Sequence, residues 1–262
     1  MNQAGDEPVL RPSLGGVVDF ALASYARRAP FYLALALLVL LVGTLVEVAI
    51  PAAPRDSDAG QLKLLIITYA SVFVDAYVVA AISIGIGTAL AKETISWRRI
   101  ARAAAERWLP VLTIGILELL VVQVTVPFSG LGPRPDDYPA LLIFTAPLVW
   151  LLWGVLALAA PIAALSGDSP MSAFFTGITR AVMFSLRRSN FARLCVVAFA
   201  SVVPTLLQDV AYDLMVLHHV PRPIFWANVP IDALTIGPVT AIQAAFALDF
   251  ARRAGLLEKP PA

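Results

Sequence analysis

The chain has 262 residues, of which 59% are hydrophobic and only 14% charged, with a formal net charge of +1. Soluble domains carry about 25% charged residues, so this balance excludes an ordinary soluble domain and indicates an integral membrane chain. Near-neutrality, with no basic stripe outside the membrane flanks, leaves nucleic-acid binding without an electrostatic footprint.

The opening stretch "MNQAGDEPVLRPSLGG" lacks the basic start, short apolar core and small-residue cleavage site of a secretory signal, so the first apolar segment is expected to remain as a helix. Crossing the hydrocarbon takes about 20 mostly apolar residues. Six stretches approach that length: 31–50, 64–91, 109–126, 141–165, 191–217 and 229–250. Prolines 110, 147, 161, 204, 230 and 238 fall within or just inside these spans, where neighbouring helices can satisfy the freed carbonyls; a kink is expected at Pro204.

Six spans place both termini on one side. Of the 19 Lys and Arg, Arg11, Arg27 and Arg28 precede span one, and Lys92, Arg98, Arg99, Arg102 and Arg107 lie between spans two and three. Arg180, Arg187, Arg188 and Arg193 flank the loop before span five, and Arg252, Arg253 and Lys259 follow span six. Only Arg55, Lys63, Arg134 and Arg222 fall in the other loops. The excess of positive charge marks the cytoplasmic side, so both termini are expected in the cytoplasm.

A unit recurs along the chain: an amphipathic stretch, a basic residue at the membrane edge, a span out and a span back. Arg27, Arg28 and Phe31 in "ASYARRAPFYLAL" match Arg187, Arg188 and Phe191 in "MFSLRRSNFARLC", and Arg107 and Pro110 match Arg27 and Pro30 halfway between. The expected fold is therefore all-α: one polytopic membrane domain over 1–262, with six transmembrane helices in three parallel two-helix repeats at about 12–92, 93–171 and 172–252. Each unit opens with a stretch expected to lie along the inner surface, at 14–28, 95–108 and 172–188. In the second, Ile95, Ile100, Ala101, Ala104 and Trp108 share one side, and Arg98, Arg99, Arg102 and Glu106 take the other. That is the pattern of an interfacial helix near anionic lipid. Arg27, Arg28, Arg98, Arg99, Arg102, Arg107, Arg187 and Arg188 are the expected lipid contacts.

The run "PIAALSGDSPMSAFFTGITRAVMFSLRRSNFARLCVV", together with the opening "RPSLGGVVDFALASYARRAPFYLALALL", resembles bacterial six-span proteins named after the membrane domain of glycerophosphodiester phosphodiesterases. The resemblance covers most of the layout but few specific residues. Asp168 is the nearest counterpart of a carboxylate expected soon after the proline. It implies an all-helical six-span domain and does not imply phosphodiesterase activity, which in such fusions resides in a separate soluble barrel with metal ligands.

Within the spans, Ser201, Thr205, Gln208, Asp209, Tyr212 and Asp213 line one face of the fifth helix. Further acids lie at Glu47, Asp75, Glu118 and Asp232, with Thr68 and Ser71 on the Asp75 side of span two. An ionisable group at the centre of an inserted helix costs about 2.5 to 3.5 kcal/mol, so these groups should face the bundle interior or a wet cavity. Six carboxylates without a buried cation cannot all stay ionised in a dry interior. Water, protonation, a bound cation, or Arg55, Lys63, Arg134 and Arg222 reaching down would compensate them. A polar, outward-open cavity lined by Asp75, Glu118, Asp209 and Asp213, with Gln208 and Tyr212 beside it, is the expected site.

Enzymatic patterns are weaker. His218 and His219 are adjacent and read as interfacial side chains, Trp150 and Trp153 as packing residues, and Cys195 as a small buried residue. The string "GIG" at Gly85 to Gly87 suits close helix approach. No Ser-His-Asp order, paired Cys or Gly-rich phosphate loop is present, so no catalytic, cofactor or metal residues are expected. The leading expectation is a non-enzymatic membrane protein that binds lipid or a small amphiphile, or serves as an accessory subunit of a membrane complex. The alternative is a small cation- or proton-coupled transporter using the acidic cavity. Expected partners are the bilayer, a bound lipid or another membrane subunit; oligomeric state stays open.

Overall fold

The computed structural model describes residues 8–50, 58–91, 96–129, 139–166, 169–220 and 223–254. Arg55, Arg134, Asp168 and Arg222, and the side chains of Glu47, Lys63, Thr68 and Asp209, lie outside the described residues. Every described element is helical: α1 (Leu14–Arg27), α2 (Ala29–Ala49), α3 (Asp58–Leu90), α4 (Trp97–Ser129), α5 (Pro139–Leu165), α6 (Pro170–Leu186), α7 (Phe191–Leu217) and α8 (Pro223–Arg253). A short 3-10 turn, Arg188–Asn190, joins α6 to α7. The absence of strands among the described residues follows from the solvent, since a membrane span must satisfy its backbone within its own segment.

Among the described residues, five helices are long and apolar enough to cross a membrane, within α3, α4, α5, α7 and α8. The expected first crossing corresponds to α2, a continuous helix of 21 residues.

The second surface stretch differs from expectation. Residues 97–108 are not a separate helix but the first turns of α4, which runs unbroken through Pro110. The reason lies in its neighbour. Trp108 Nε1 donates to the Phe73 carbonyl at 2.9 Å, the Tyr77 hydroxyl donates to the Ala101 carbonyl at 3.1 Å, and the Phe73 and Trp108 rings pack at 6.0 Å. These contacts zip the amphipathic stretch along α3, so the carbonyl freed by the proline does not end the helix.

α3, α5 and α8 touch one another and form the centre. The other long helices sit in the grooves between them: α2 against α8 and α3, α4 against α3 and α5, and α7 against α5 and α8. Small residues make the central approach possible, among them Ala80, Ala81, Ala159, Ala163, Ala244 and Ala245, all buried. Between helices in lipid there is no water to expel, so close backbone approach and dispersion carry the association.

α1 runs back along α8. Its side-chain cap is Ser13, whose Oγ accepts from the Gly16 N–H at 3.1 Å. Tyr25 stacks on Tyr32 with ring centroids 5.3 Å apart. Each ring fills the notch of a glycine, Tyr25 at Gly237 and Tyr32 at Gly85, where an added Cβ would collide with the phenol.

Candidate functional site

α7 and α8 are antiparallel neighbours, and their polar residues meet in register. Ser201 and Gln208 are two turns apart on α7, while Asp232 and Gln243 are three turns apart on α8, so each pair shares a stripe. Gln243 Nε2 donates to Ser201 Oγ at 3.1 Å, and Gln208 Nε2 donates to Asp232 Oδ1 at 2.6 Å. Asp75 arrives from α3, the helix packed on the far side of α8, close enough to Asp232 for the two charges to repel. Its Oδ1 is buried without a hydrogen-bond partner. No ion pair reaches Asp75, Asp232 or Glu118 among the described residues.

Two carboxyl groups, one of them with an unmet oxygen, and one carboxamide are therefore held around α8 by residues of α3, α7 and α8 itself. An unsatisfied polar atom in such a place costs roughly 1 to 3 kcal/mol, which protonation of the acid or a small bound cation would offset. No group of three or more His, Cys, Asp and Glu is assembled for a metal ion among the described residues.

The expected lining is brought together in part. Asp75 and Gln208 join the cluster. Glu118 is half-buried on α4 with no described partner, Tyr212 is half-buried on α7, and Asp213 is exposed near the α7 end. Asp209 is helical, with its side chain outside the described residues. The carboxylate that completes the pair is Asp232, which lies outside the expected lining. Asp232, Thr235 and Gln243 form on span six the same kind of stripe that marks span five, and this was the available signal.

A second polar centre, absent from the sequence expectations, lies at the other end of the α7–α8 pair. Asp249 is 2% exposed and takes Arg193 Nε at 3.0 Å on Oδ2 and Arg253 Nε at 3.1 Å on Oδ1. The same two guanidinium groups donate to the Pro12 carbonyl, Arg193 at 2.6 Å and Arg253 at 2.5 Å, and Arg252 donates to the Leu10 carbonyl at 3.2 Å. The segment before α1 is thus fastened across the ends of α7 and α8. A carboxylate buried between two cations and satisfied on both oxygens is structurally committed.

The arginines expected to meet lipid divide. Arg27, Arg98, Arg99, Arg102, Arg187 and Arg188 are exposed, and Arg107 is half-buried. Arg98 lies over the Trp97 ring at 5.3 Å and Arg187 over the Phe250 ring at 5.6 Å. Arg28 instead turns into the bundle, donating to the Gly85 carbonyl and to Thr88 Oγ1 at 2.9 Å.

Trp150 Nε1 bonds the Ser129 carbonyl at 3.0 Å and Trp153 Nε1 bonds Thr125 Oγ1 at 2.8 Å, so both link α5 to α4. His218 and His219 are exposed at the end of α7, where His219 adopts φ 54° as the chain turns. Cys195 is half-buried on α7.

Comparison with protein-family models, with curated proteins and with solved structures gives no match to this chain.

Proposed function

We propose that the chain is a small cation- or proton-coupled membrane transporter, acting without covalent chemistry, whose exchangeable site is the Asp75–Asp232 pair. The observation that carries this reading is the buried, unpartnered oxygen of Asp75 beside a second carboxylate that holds Gln208. Ionisable residues inside a span are rare, and each is a candidate functional group by default.

In this reading the chain crosses a bacterial inner membrane six times, as three parallel two-helix units with both termini cytoplasmic. The Lys and Arg distribution supports the orientation. The packing order supports the repeat, since each of α2, α4 and α7 lies between its own returning helix and that of the neighbouring unit. The likeness to six-span proteins named after the glycerophosphodiester phosphodiesterase membrane domain is consistent with that layout. Internal repeats around an intramembrane site are a common plan of secondary transporters.

The test is flux in reconstituted vesicles. With an imposed pH gradient and sodium or potassium varied in turn, the native chain dissipates the gradient or accumulates one cation. D75N and D232N abolish the flux, while D213N, altered at an exposed position, leaves it near native. Equal flux in D75N and the native chain contradicts the proposal.

A second reading, binding of lipid without transport, is favoured by one specific element, α6.

A further inference from the structure

α6 has three faces instead of the usual two. Ala173, Gly177, Ala181 and Phe184 are buried against the bundle. At Gly177 an added Cβ would sit 2.6 Å from the Ala159 carbonyl and 3.1 Å from Ile114 Cδ1, so the helix is pressed onto α5 and α4 by its small residues. Phe184 then meets Phe250 of α8 edge-on at 4.9 Å. The helix therefore leaves the end of α5, packs on α5 and α4, and reaches α8 at Phe250.

Its second face is large and apolar yet uncovered. Met171, Phe175, Val182 and Leu186 fall within one 60° sector of the helix, and the two at its ends are 70% and 80% exposed. The third face carries Ser172, Thr176, Thr179 and Arg180, and Arg187 and Arg188 close the helix. No Asp or Glu occurs from Ser169 to Gln208, and α5, its main packing partner, contains no charged residue at all. Arg193, the next cation along, is already held by Asp249.

The other two basic elements differ. α1 carries Asp19 among its exposed residues, and the start of α4 carries Glu106. Only α6 joins an uncovered row of large apolar side chains to cations that no acid on its own segment or on α5 offsets.

We infer that α6 lies in the plane of the inner leaflet and binds the anionic headgroup of a glycerophospholipid through Arg180, Arg187 and Arg188, with Met171, Phe175, Val182 and Leu186 set in the acyl layer. Charge complementarity selects this occupant, because a neutral or zwitterionic surface would leave three cations without a counter-charge. The inference deepens the lipid-binding reading and rests on the inside-positive orientation; it does not depend on the Asp75–Asp232 pair.

The experiment uses the full chain with phosphatidylglycerol and phosphatidylcholine as competing probes. Native mass spectra of the chain extracted from mixed vesicles show retained phosphatidylglycerol in preference to phosphatidylcholine. R180Q/R187Q/R188Q lowers that preference by roughly fivefold per arginine at low salt, and R180K/R187K/R188K restores most of it. An unchanged preference in the triple Gln variant overturns the inference.

Single cysteines in a Cys195→Ser background locate the faces in vesicles of pure lipid. Phe175→Cys and Val182→Cys are shielded from a membrane-impermeant maleimide, while Ser172→Cys and Thr179→Cys react from the cytoplasmic side. Labelling of Phe175→Cys in pure lipid, with shielding only in native membranes, means that another protein covers the face and refutes lipid as its occupant. Reaction of Ser172→Cys from the outer side alone refutes the inner-leaflet placement, and would do so whatever the flux assays show.

Discussion

The central helices α3, α5 and α8 and the peripheral helices α4 and α7 are about equally apolar, yet they do opposite work. Mean hydropathy over the best stretch is 1.8, 2.3 and 1.5 in the first group and 1.9 and 1.8 in the second. The share of that stretch buried is 56%, 67% and 56% against 22% and 24%. Hydropathy therefore records only that a helix belongs in lipid. Side-chain size decides whether it meets protein or acyl chains. The central helices present alanines to one another, while the peripheral ones turn Leu120, Val124, Phe199, Leu207, Val210 and Leu214 outward.

Several of the interhelical polar contacts follow the same division. Asp75, Asp232, Gln243 and Asp249 all lie on central helices, and the peripheral α7 supplies their partners Gln208, Ser201 and Arg193. A polar group on a central helix has protein on several sides, so its orientation is fixed by what it finds there.

Breaking the contrast most severely means removing Asp249. D249A strands the guanidinium groups of Arg193 and Arg253 beside the bundle end without their carboxylate, at an expected cost of about 3 to 5 kcal/mol; a steep fall in thermal stability in mild detergent checks this. Crowding the centre comes next. Ala159→Leu or Ala245→Leu should cost about 1 to 3 kcal/mol by overpacking, read as a lower midpoint in the same assay. Loss of one linking bond, as in Trp153→Phe, should cost about 1 kcal/mol. At the small end, Val124→Leu or Val210→Leu on the peripheral faces should stay within about 0.5 kcal/mol of native. A peripheral substitution as costly as a central one would erase the distinction.

Much of this layout is legible in the residues alone. Stretches of apolar length mark the crossings, and the prolines inside them do not break the helices, because lipid offers the backbone no alternative partner. Two features escape for physical reasons. Glycine and alanine content distinguishes centre from periphery only when one knows which faces meet, so the side chain of Arg28, counted as a lipid contact, turns inward to Gly85 and Thr88. Asp249 reads as one acid in a basic juxtamembrane run, and its role appears only when α7 brings Arg193 beside it. The polar stripe of span five was visible, but the partner that fixes Gln208 belongs to another helix 24 residues on.

The claim that matters most is that α3 and α8 bring two intramembrane acids together. It is tested by cross-linking Asp75→Cys/Asp232→Cys in a Cys195→Ser background, in native membranes, with a short bis-maleimide. The account predicts an efficient intrachain cross-link, and none for Asp75→Cys paired with Asp213→Cys. Failure of the first pair to cross-link while the second pair does so would contradict it.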